Sequence, residues 1–458
     1  MYEKVRRFWE DIEMAKDMTK GSLVRALIEF SIPLILSGIL QQLYSWADAF
    51  IVGNVEGGQA LAAIGCTTSI VYLFVGAITG FTGGLSILAA RYFGEGKQEI
   101  QRMLLATFSV VMGGFFVVLC IIGIVCLEPI MQILDIPEDV YQMAGDYLRI
   151  VLIGVPFLAV YNVFCAVLRG LGDSKAPFYS VMVSSAANIL LDILFISVFR
   201  WSVAGAAIAT ILSQIIMTIY TIGYTMKQYE SLRIRLCRTM IDKNVLEEGC
   251  RFSIPLTFNA IINSLGNVIL QSFMNSFGST TVAAISTAYR VDSIIMLPVM
   301  NLGAGISTIT SQNLGAGEKE RVKKGLRIGV GIMAVVALIM TIVVINFGGI
   351  LIALFGISAE SVEIGKAFFR ALAMFYLLFG ISVAIRGYVQ GIGDVGYTSF
   401  VGISTLAVRI VMSYLLKPVF GNMVIAWAEV ISWWYMFAMY VGRLAWHKRR
   451  EKSIRGNT

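Results

Sequence analysis

The chain has 458 residues, 57% of them hydrophobic and 14% charged, and a formal net charge of +7. Soluble domains are about half apolar and about one quarter charged, so this balance excludes a water-soluble protein and indicates a chain dissolved in lipid. The positive excess fits cytoplasmic loops and contact with anionic lipid, and no nucleic-acid partner is expected.

In chain order, Met1 to Lys20 is charged, and the first apolar run opens a spanning helix, so no cleaved signal is expected. Stretches such as Met103 to Cys126, Val330 to Phe347 and Met423 to Val441 are almost uncharged, long enough as helix to cross about 30 Å of hydrocarbon. The pattern predicts an all-α membrane protein with about twelve spans. The first six begin near Leu23, Gly58, Glu99, Val140, Ala176 and Val203. A second set begins near Phe252, Thr280, Arg321, Val362, Val395 and Asn422. Mixed charges between Lys227 and Arg251 mark a linker, giving an N-lobe at 1–226, a linker at 227–250, a C-lobe at 251–446 and a basic tail at 447–458.

The two sets are copies of one unit. Leu168-Arg169-Gly170-Leu171-Gly172-Asp173 returns 221 residues later as Val389-Gln390-Gly391-Ile392-Gly393-Asp394. The same offset aligns Gly94-Glu95-Gly96 with Gly315-Ala316-Gly317 and Tyr147-Leu148-Arg149 with Phe368-Phe369-Arg370. With one extra residue, Phe30-Ser31-Ile32-Pro33-Leu34 aligns with Phe252-Ser253-Ile254-Pro255-Leu256. A repeat of this length is a whole lobe, and duplicated apolar lobes point to a parallel-repeat transporter with a central cavity where the lobes meet. At the Gly-x-Gly-Asp segments, turn chemistry is expected, with glycine ending one helix and Asp173 or Asp394 capping the next.

Orientation follows from the cations. Lys4, Arg6, Arg7, Lys16 and Lys20, the loops around Arg91, Lys97, Arg102, Arg169, Lys175, Lys319, Arg321, Lys323 and Lys324, and the tail at Lys448, Arg449 and Arg450 fall on one side. Both termini are therefore expected in the cytoplasm of a multi-pass plasma-membrane protein, the inner membrane in a Gram-negative cell. Cys66, Cys120, Cys126, Cys165, Cys237 and Cys250 lack metal-ligand spacing, and free thiols are expected. No GxxxxGK[ST] loop is present, so no cofactor is expected and energy must come from an ion gradient or a partner. A membrane-embedded enzyme would need a nucleophile and base at depth, which His447 in the tail and the scattered cysteines do not supply.

Ionisable groups within spans cost on the order of 2.5–3.5 kcal/mol or more at mid-membrane and persist mainly for function. Asp48 in span 1, Asp192 in span 5 and Thr210 in span 6 fall at one depth in the outer half, and Asn188 precedes Asp192 by one helical turn. Two carboxylates, an amide and a hydroxyl make a hard-oxygen pocket for Na⁺ or a shared proton. The alternative is a pair of capped or ion-paired structural acids, for which Arg200 is the available cation. The second copy lacks this pocket: Asp48 maps to Ile269 or Leu270, Asn188 to Arg409 and Asp192 to Ser413. Span 7 instead carries Asn259, Asn263, Asn267, Gln271 and Asn275 at every fourth position, as an interhelical hydrogen-bonding stripe or a substrate-binding wall. Arg290 and Asp292 cannot face each other on a helix, and Asp292 is expected to pair with Arg409. Met296 is either core filling or an adaptable wall.

These residues and their order resemble the multidrug and toxic compound extrusion (MATE) family. The similarity rests on Phe30-Ser31-Ile32-Pro33-Leu34, Gln41-Gln42-Leu43-Tyr44, Asp48-Ala49-Phe50-Ile51-Val52-Gly53, Asn188-x-x-x-Asp192, Gly205-Ala206-Ala207-x-Ala209-Thr210 and Gly170-x-Gly172-Asp173, within Met18 to Trp446. It implies two pseudo-symmetric six-helix lobes in a V, exporting organic cations or amphipathic compounds against H⁺ or Na⁺. The branch typified by DNA-damage-inducible and archaeal members implies cation coupling at Asp48, Asn188, Asp192 and Thr210. The norfloxacin-export branch uses acids in spans 7 and 10, which this chain lacks at mid-span. Substrate-facing groups are then expected at Gln42, Asn259, Asn263, Asn267, Gln271, Arg290, Asp292, Met296 and Arg409, in a monomer surrounded by lipid. The competing reading, a lipid-linked oligosaccharide flippase of the same superfamily, would need a large basic cavity, for which the inner spans offer Arg290 and Arg409.

Overall fold

The computed structural model describes residues 17–234 and 241–456. The expectations for Lys4, Arg6, Arg7, Lys16 and Cys237 lie outside the described residues. The described residues are helical, without a strand. In the first repeat the helices are α1 (Leu23–Val55), α2 (Gly58–Gly94), α3 (Gln98–Val125), a short α4 (Leu127–Ile133), α5 (Tyr141–Gly170), α6 (Lys175–Asp192) and α7 (Ser202–Gln228). In the second they are α8 (Lys243–Asn275), α9 (Ser279–Ile295), α10 (Leu297–Gly315), α11 (Lys319–Ala353), α12 (Ala359–Ala373), α13 (Tyr376–Gly391), α14 (Val395–Phe420) and α15 (Val424–Gly456).

Eleven of the expected starts fall within three residues of the observed ones. Span 7 is the exception: α8 begins at Lys243, nine residues before Phe252, because Asp242 accepts from the Val245 amide at 2.9 Å and caps a helix that runs through the polar segment. By length and composition, nine described stretches can cross a membrane, or eleven when each of two bent pairs is one span. One of those stretches, Val395–Arg450, holds both α14 and most of α15, which brings the count to the expected twelve.

The sequence pattern does not reveal the bends. Span 8 breaks by 42° between α9 and α10, and span 10 by 53° between α12 and α13. Pro298, the second residue of α10, offers no amide to the turn before it, and the first repeat has Ala77 there within an unbroken α2. No proline stands at the second break.

The chain forms two compact units. Of the described residues, the first comprises 17–21, 32–234, 241–257 and 311–318, and the second 22–31, 258–310 and 319–456. Short segments of each repeat therefore belong to the other repeat's unit, unlike the simple division at the linker. Within the units, helix pairing repeats. Span 4 (α5) packs on spans 2, 3 and 6, and span 5 on span 6. Correspondingly span 10 packs on spans 8, 9 and 12, and span 11 on span 12.

The turns follow the expected chemistry in part. Gly172 and Gly393 have φ of 86° and 92°, the left-handed geometry that ends a helix without a Cβ clash. Asp173 caps as expected, its Oδ1 accepting from the amides of Lys175 (2.9 Å) and Ala176 (3.0 Å). Asp394 makes no such cap; its Oδ2 is held by Arg443 at 2.7 Å.

Candidate functional site

In the first unit, α1 carries Asp48, α6 ends on Asp192 and α7 carries Thr210. One turn from each lies an apolar residue, Val52, Ile196 and Ala206, and these three share one buried cluster with Ala60, Tyr147, Val151, Val203 and Ala207. Packing among small and β-branched side chains thus draws α1, α5, α6 and α7 together at the level of the acids. The cost of burying each carboxylate, several kcal/mol even after relaxation, must be met by that packing and by whatever neutralises the charge.

No cation among the described residues pairs with either acid. Asp192 is fully buried and Asn188 is 2% exposed. Both carboxylate oxygens of Asp192, Oδ1 of Asn188 and Oδ1 of Asp48 are buried and accept no hydrogen bond. Among the described residues no Lys, Arg or His forms an ion pair with either acid, Arg200 included. Asp192 therefore has neither a cap nor an ion pair among the described residues, unlike Asp173. Asp48 lies close enough for its charge to act on Asp192, and both act on the Tyr147 hydroxyl together with Tyr44 and Tyr72. Thr210 donates its proton to the Ala206 carbonyl at 3.0 Å, leaving oxygen lone pairs for a cation.

Tyr147 was not among the expected site residues. Its repeat mate is Phe368, so the hydroxyl exists only in the copy that holds the acids. Immediately after Asp192 the helix widens into a π-helical segment, Ile193–Val198, an arrangement common at functional sites. With two carboxylates, an amide oxygen and hydroxyls, the group suits a proton or a monovalent cation. No cluster of three or more His, Cys, Asp or Glu fit for a metal occurs among the described residues.

In the second unit the expected Asp292–Arg409 pair is replaced by a different network. Arg409 Nη2 donates to Glu429 Oε2 at 3.0 Å and to Tyr289 Oη at 2.6 Å, and Tyr289 donates to Glu429 Oε2 at 2.9 Å. Asp292 Oδ1 accepts from Tyr376 Oη at 2.5 Å. Glu429 wins the guanidinium because α14 and α15 pack along each other, whereas Asp292 sits at the end of α9 beside the start of α13.

The remaining residues divide by exposure. On α8, Asn263 Nδ2 donates to the Asn259 carbonyl and Oδ1, both at 2.7 Å, and Gln271 Nε2 donates to Asn275 Oδ1 at 3.0 Å, so these bonds of the stripe run along its own helix. Asn259 also fills the space that a side chain on Gly402 would need, its Oδ1 standing 2.4 Å from such a Cβ. Asn267, Gln271 and Arg290 are exposed, Gln42 is half-buried and Met296 is buried.

Comparison with known proteins follows the same outline. The family model MatE matches residues 33–194 and 255–415, one match in each repeat. The probable multidrug resistance protein YpnP of Bacillus subtilis is 31% identical over 420 residues, covering 90% of this chain and 91% of its own. YoeA of the same organism, also a probable multidrug resistance protein, is 29% identical over 410 residues, covering 87% and 88%. The multidrug export protein MepA of Staphylococcus aureus is 22% identical over 416 residues, covering 90% and 91%. Among solved structures, the outward-facing conformation of a multidrug resistance MATE family transporter superposes with a TM-score of 0.87 at 21% identity, over 96% of this chain and 98% of that one. A transporter of the same superfamily from Pyrococcus furiosus gives the same score, identity and coverage; at this identity the likeness concerns the fold. With both repeats matched across most of their length, the chain belongs to the MatE family, the multidrug and toxic compound extrusion transporters.

Proposed function

We propose that this transporter exports amphipathic or cationic small molecules across the plasma membrane in exchange for Na⁺ or H⁺, with the coupling ion held by Asp48 and Asp192. The observation that carries this reading is the set of buried, unpartnered oxygens on Asp192, Asn188 and Asp48. A buried carboxylate without a donor is stable only when a cation or proton joins it, so the site changes occupancy whenever the ion concentration around it changes. Asn188 and Thr210 complete the shell. Relatives named for multidrug resistance or export support the direction of transport. The exposed Asn267, Gln271 and Arg290 are offered to substrate, and both termini face the cytoplasm with the basic loops.

Purified protein in proteoliposomes tests this. Efflux of a cationic dye driven by a Na⁺ gradient or a pH gradient is expected, and Asp48→Asn is expected to abolish it while leaving the protein folded. Wild-type efflux by the Asp48→Asn protein would overturn the assignment.

A further inference from the structure

The second unit holds an acid that this coupling scheme does not use. Asp292 lies in the last turn of α9, four residues before the break at Met296, and Tyr376 is the first residue of α13, just past the other break. Their 2.5 Å hydrogen bond therefore ties the break in span 8 to the break in span 10. Tyr376 is 1% exposed, and its ring leans against Trp433, which also contacts Phe379, so the phenol is fixed in an apolar wall.

The charges around Asp292 do not balance. The groups facing it are Tyr289 on its own helix, Tyr376 on α13, Arg409 on α14 and Glu429 on α15. Arg409 and Glu429 close on each other through Tyr289, at side-chain exposures of 18% and 12%. When all are ionised, two carboxylates share one guanidinium, which leaves one excess negative charge at membrane depth. A phenol lowers that cost by one hydrogen bond but carries no charge to cancel it. One proton on Oδ2 of Asp292, the oxygen that Tyr376 does not occupy, makes the cluster neutral.

We propose that Asp292 is a second proton-binding site, separate from the Asp48 and Asp192 pocket, whose occupancy is read by the two broken helices through Tyr376. Deprotonated, Asp292 draws the Tyr376 hydroxyl strongly and holds the two breaks together; protonated, it accepts a weaker hydrogen bond and lets them part. A helix broken at membrane depth already lacks part of its hydrogen-bond ladder, so a change of one charge-assisted bond acts where the backbone is most compliant. The inference does not require the first-unit site to couple transport.

Infrared difference spectroscopy of the purified full chain in lipid nanodiscs, titrated in pH without substrate, reads this directly. A carboxylic-acid C=O band is expected that Asp292→Asn removes and that Asp48→Asn and Asp192→Asn leave in place. Tyr376→Phe is expected to move the band to higher frequency, because the protonated acid loses its donor. Hydrogen exchange of the amides flanking the two breaks, corrected for intrinsic rates, is expected to change over the same pH range in wild type and to be flat in Asp292→Asn. Absence of any titrating band that Asp292→Asn removes, or amide exchange at the breaks that ignores pH in wild type, would overturn the proposal. Should Asp292→Asn fail to fold, an unshifted band in Tyr376→Phe overturns it equally.

Discussion

Asp173 and Asp394 hold the same position in the two repeats and grip the last helix of their own copy by different means. Asp173 accepts from Tyr229, just past α7, at 2.8 Å, and from two amides of α6. Asp394 instead takes Arg443 of α15 at 2.7 Å, with His447 at 3.4 Å. Burial and the Asp173 carboxylate push the Tyr229 phenol well above its ordinary value, so it remains a donor throughout the physiological range. Shared ancestry kept the anchor point, and each copy supplied its own partner.

Asp173→Ala removes three accepted hydrogen bonds at once. Its expected cost is about 1–3 kcal/mol, since a side-chain cap alone contributes about 1 kcal/mol. Thermal melting in detergent checks it, and Tyr229→Phe should lose only the smaller share due to one bond.

Asp192→Asn and Asn188→Ala separate charge from coordination. The first is expected to stop gradient-driven efflux. The second is expected to weaken the dependence on coupling-ion concentration by about tenfold or more, the size of one lost bond to a charged group. Efflux measured against Na⁺ concentration and pH in proteoliposomes decides it, and unchanged ion dependence in Asn188→Ala would remove that residue from the shell.

Arg409→Ala leaves Glu429 buried without its cation, for an expected loss of about 3–5 kcal/mol. Replacing both with apolar residues of similar volume, Arg409→Met with Glu429→Leu, should recover most of it. Equal melting temperatures for the single and double variants would contradict a closed Arg409–Glu429 pair.

Gly94 and Gly315 are repeat mates that meet in the first unit. A Cβ on Gly94 would stand 2.0 Å from the Gln312 carbonyl oxygen, and one on Gly315 would stand 2.2 Å from that of Arg91. Backbone cannot yield as a side chain does, so alanine at either position is expected to cost about 1–3 kcal/mol or more. Gly223→Ala, which meets nothing within 4 Å in α7, is expected to be neutral or slightly stabilising in the same melting assay.

Much of this molecule is legible in its residues, and the misses have physical reasons. Apolar runs bounded by glycine and charge placed the helix starts, because a bilayer demands unbroken lengths of apolar side chain. The mixed charges up to Arg251 read as linker and put the start of span 7 at Phe252, although a helix leaving the membrane needs no apolar face and α8 begins at Lys243. Depth alone puts Asp48, Asn188, Asp192 and Thr210 at one level, and the cluster that holds Val52, Ile196 and Ala206, each one turn from Asp48, Asp192 or Thr210, packs their helices there. Partner choice was less accessible: Asp292 and Glu429 are both credible mates for Arg409, and packing between neighbouring helices decides between them. Tyr147 could have been found by asking where the two copies differ by a single hydroxyl.

The π-helical turns after Asp192 have one more consequence. A helix of regular pitch transmits rotation: adding or removing one residue turns everything beyond it by about 100°. The wide segment Ile193–Val198 already accommodates a surplus residue, so it acts as slack between Asp192 and the bend at Arg200, where φ is 55°. A change in the length of the hairpin beyond it is then expected to leave the orientation of the carboxylate unchanged.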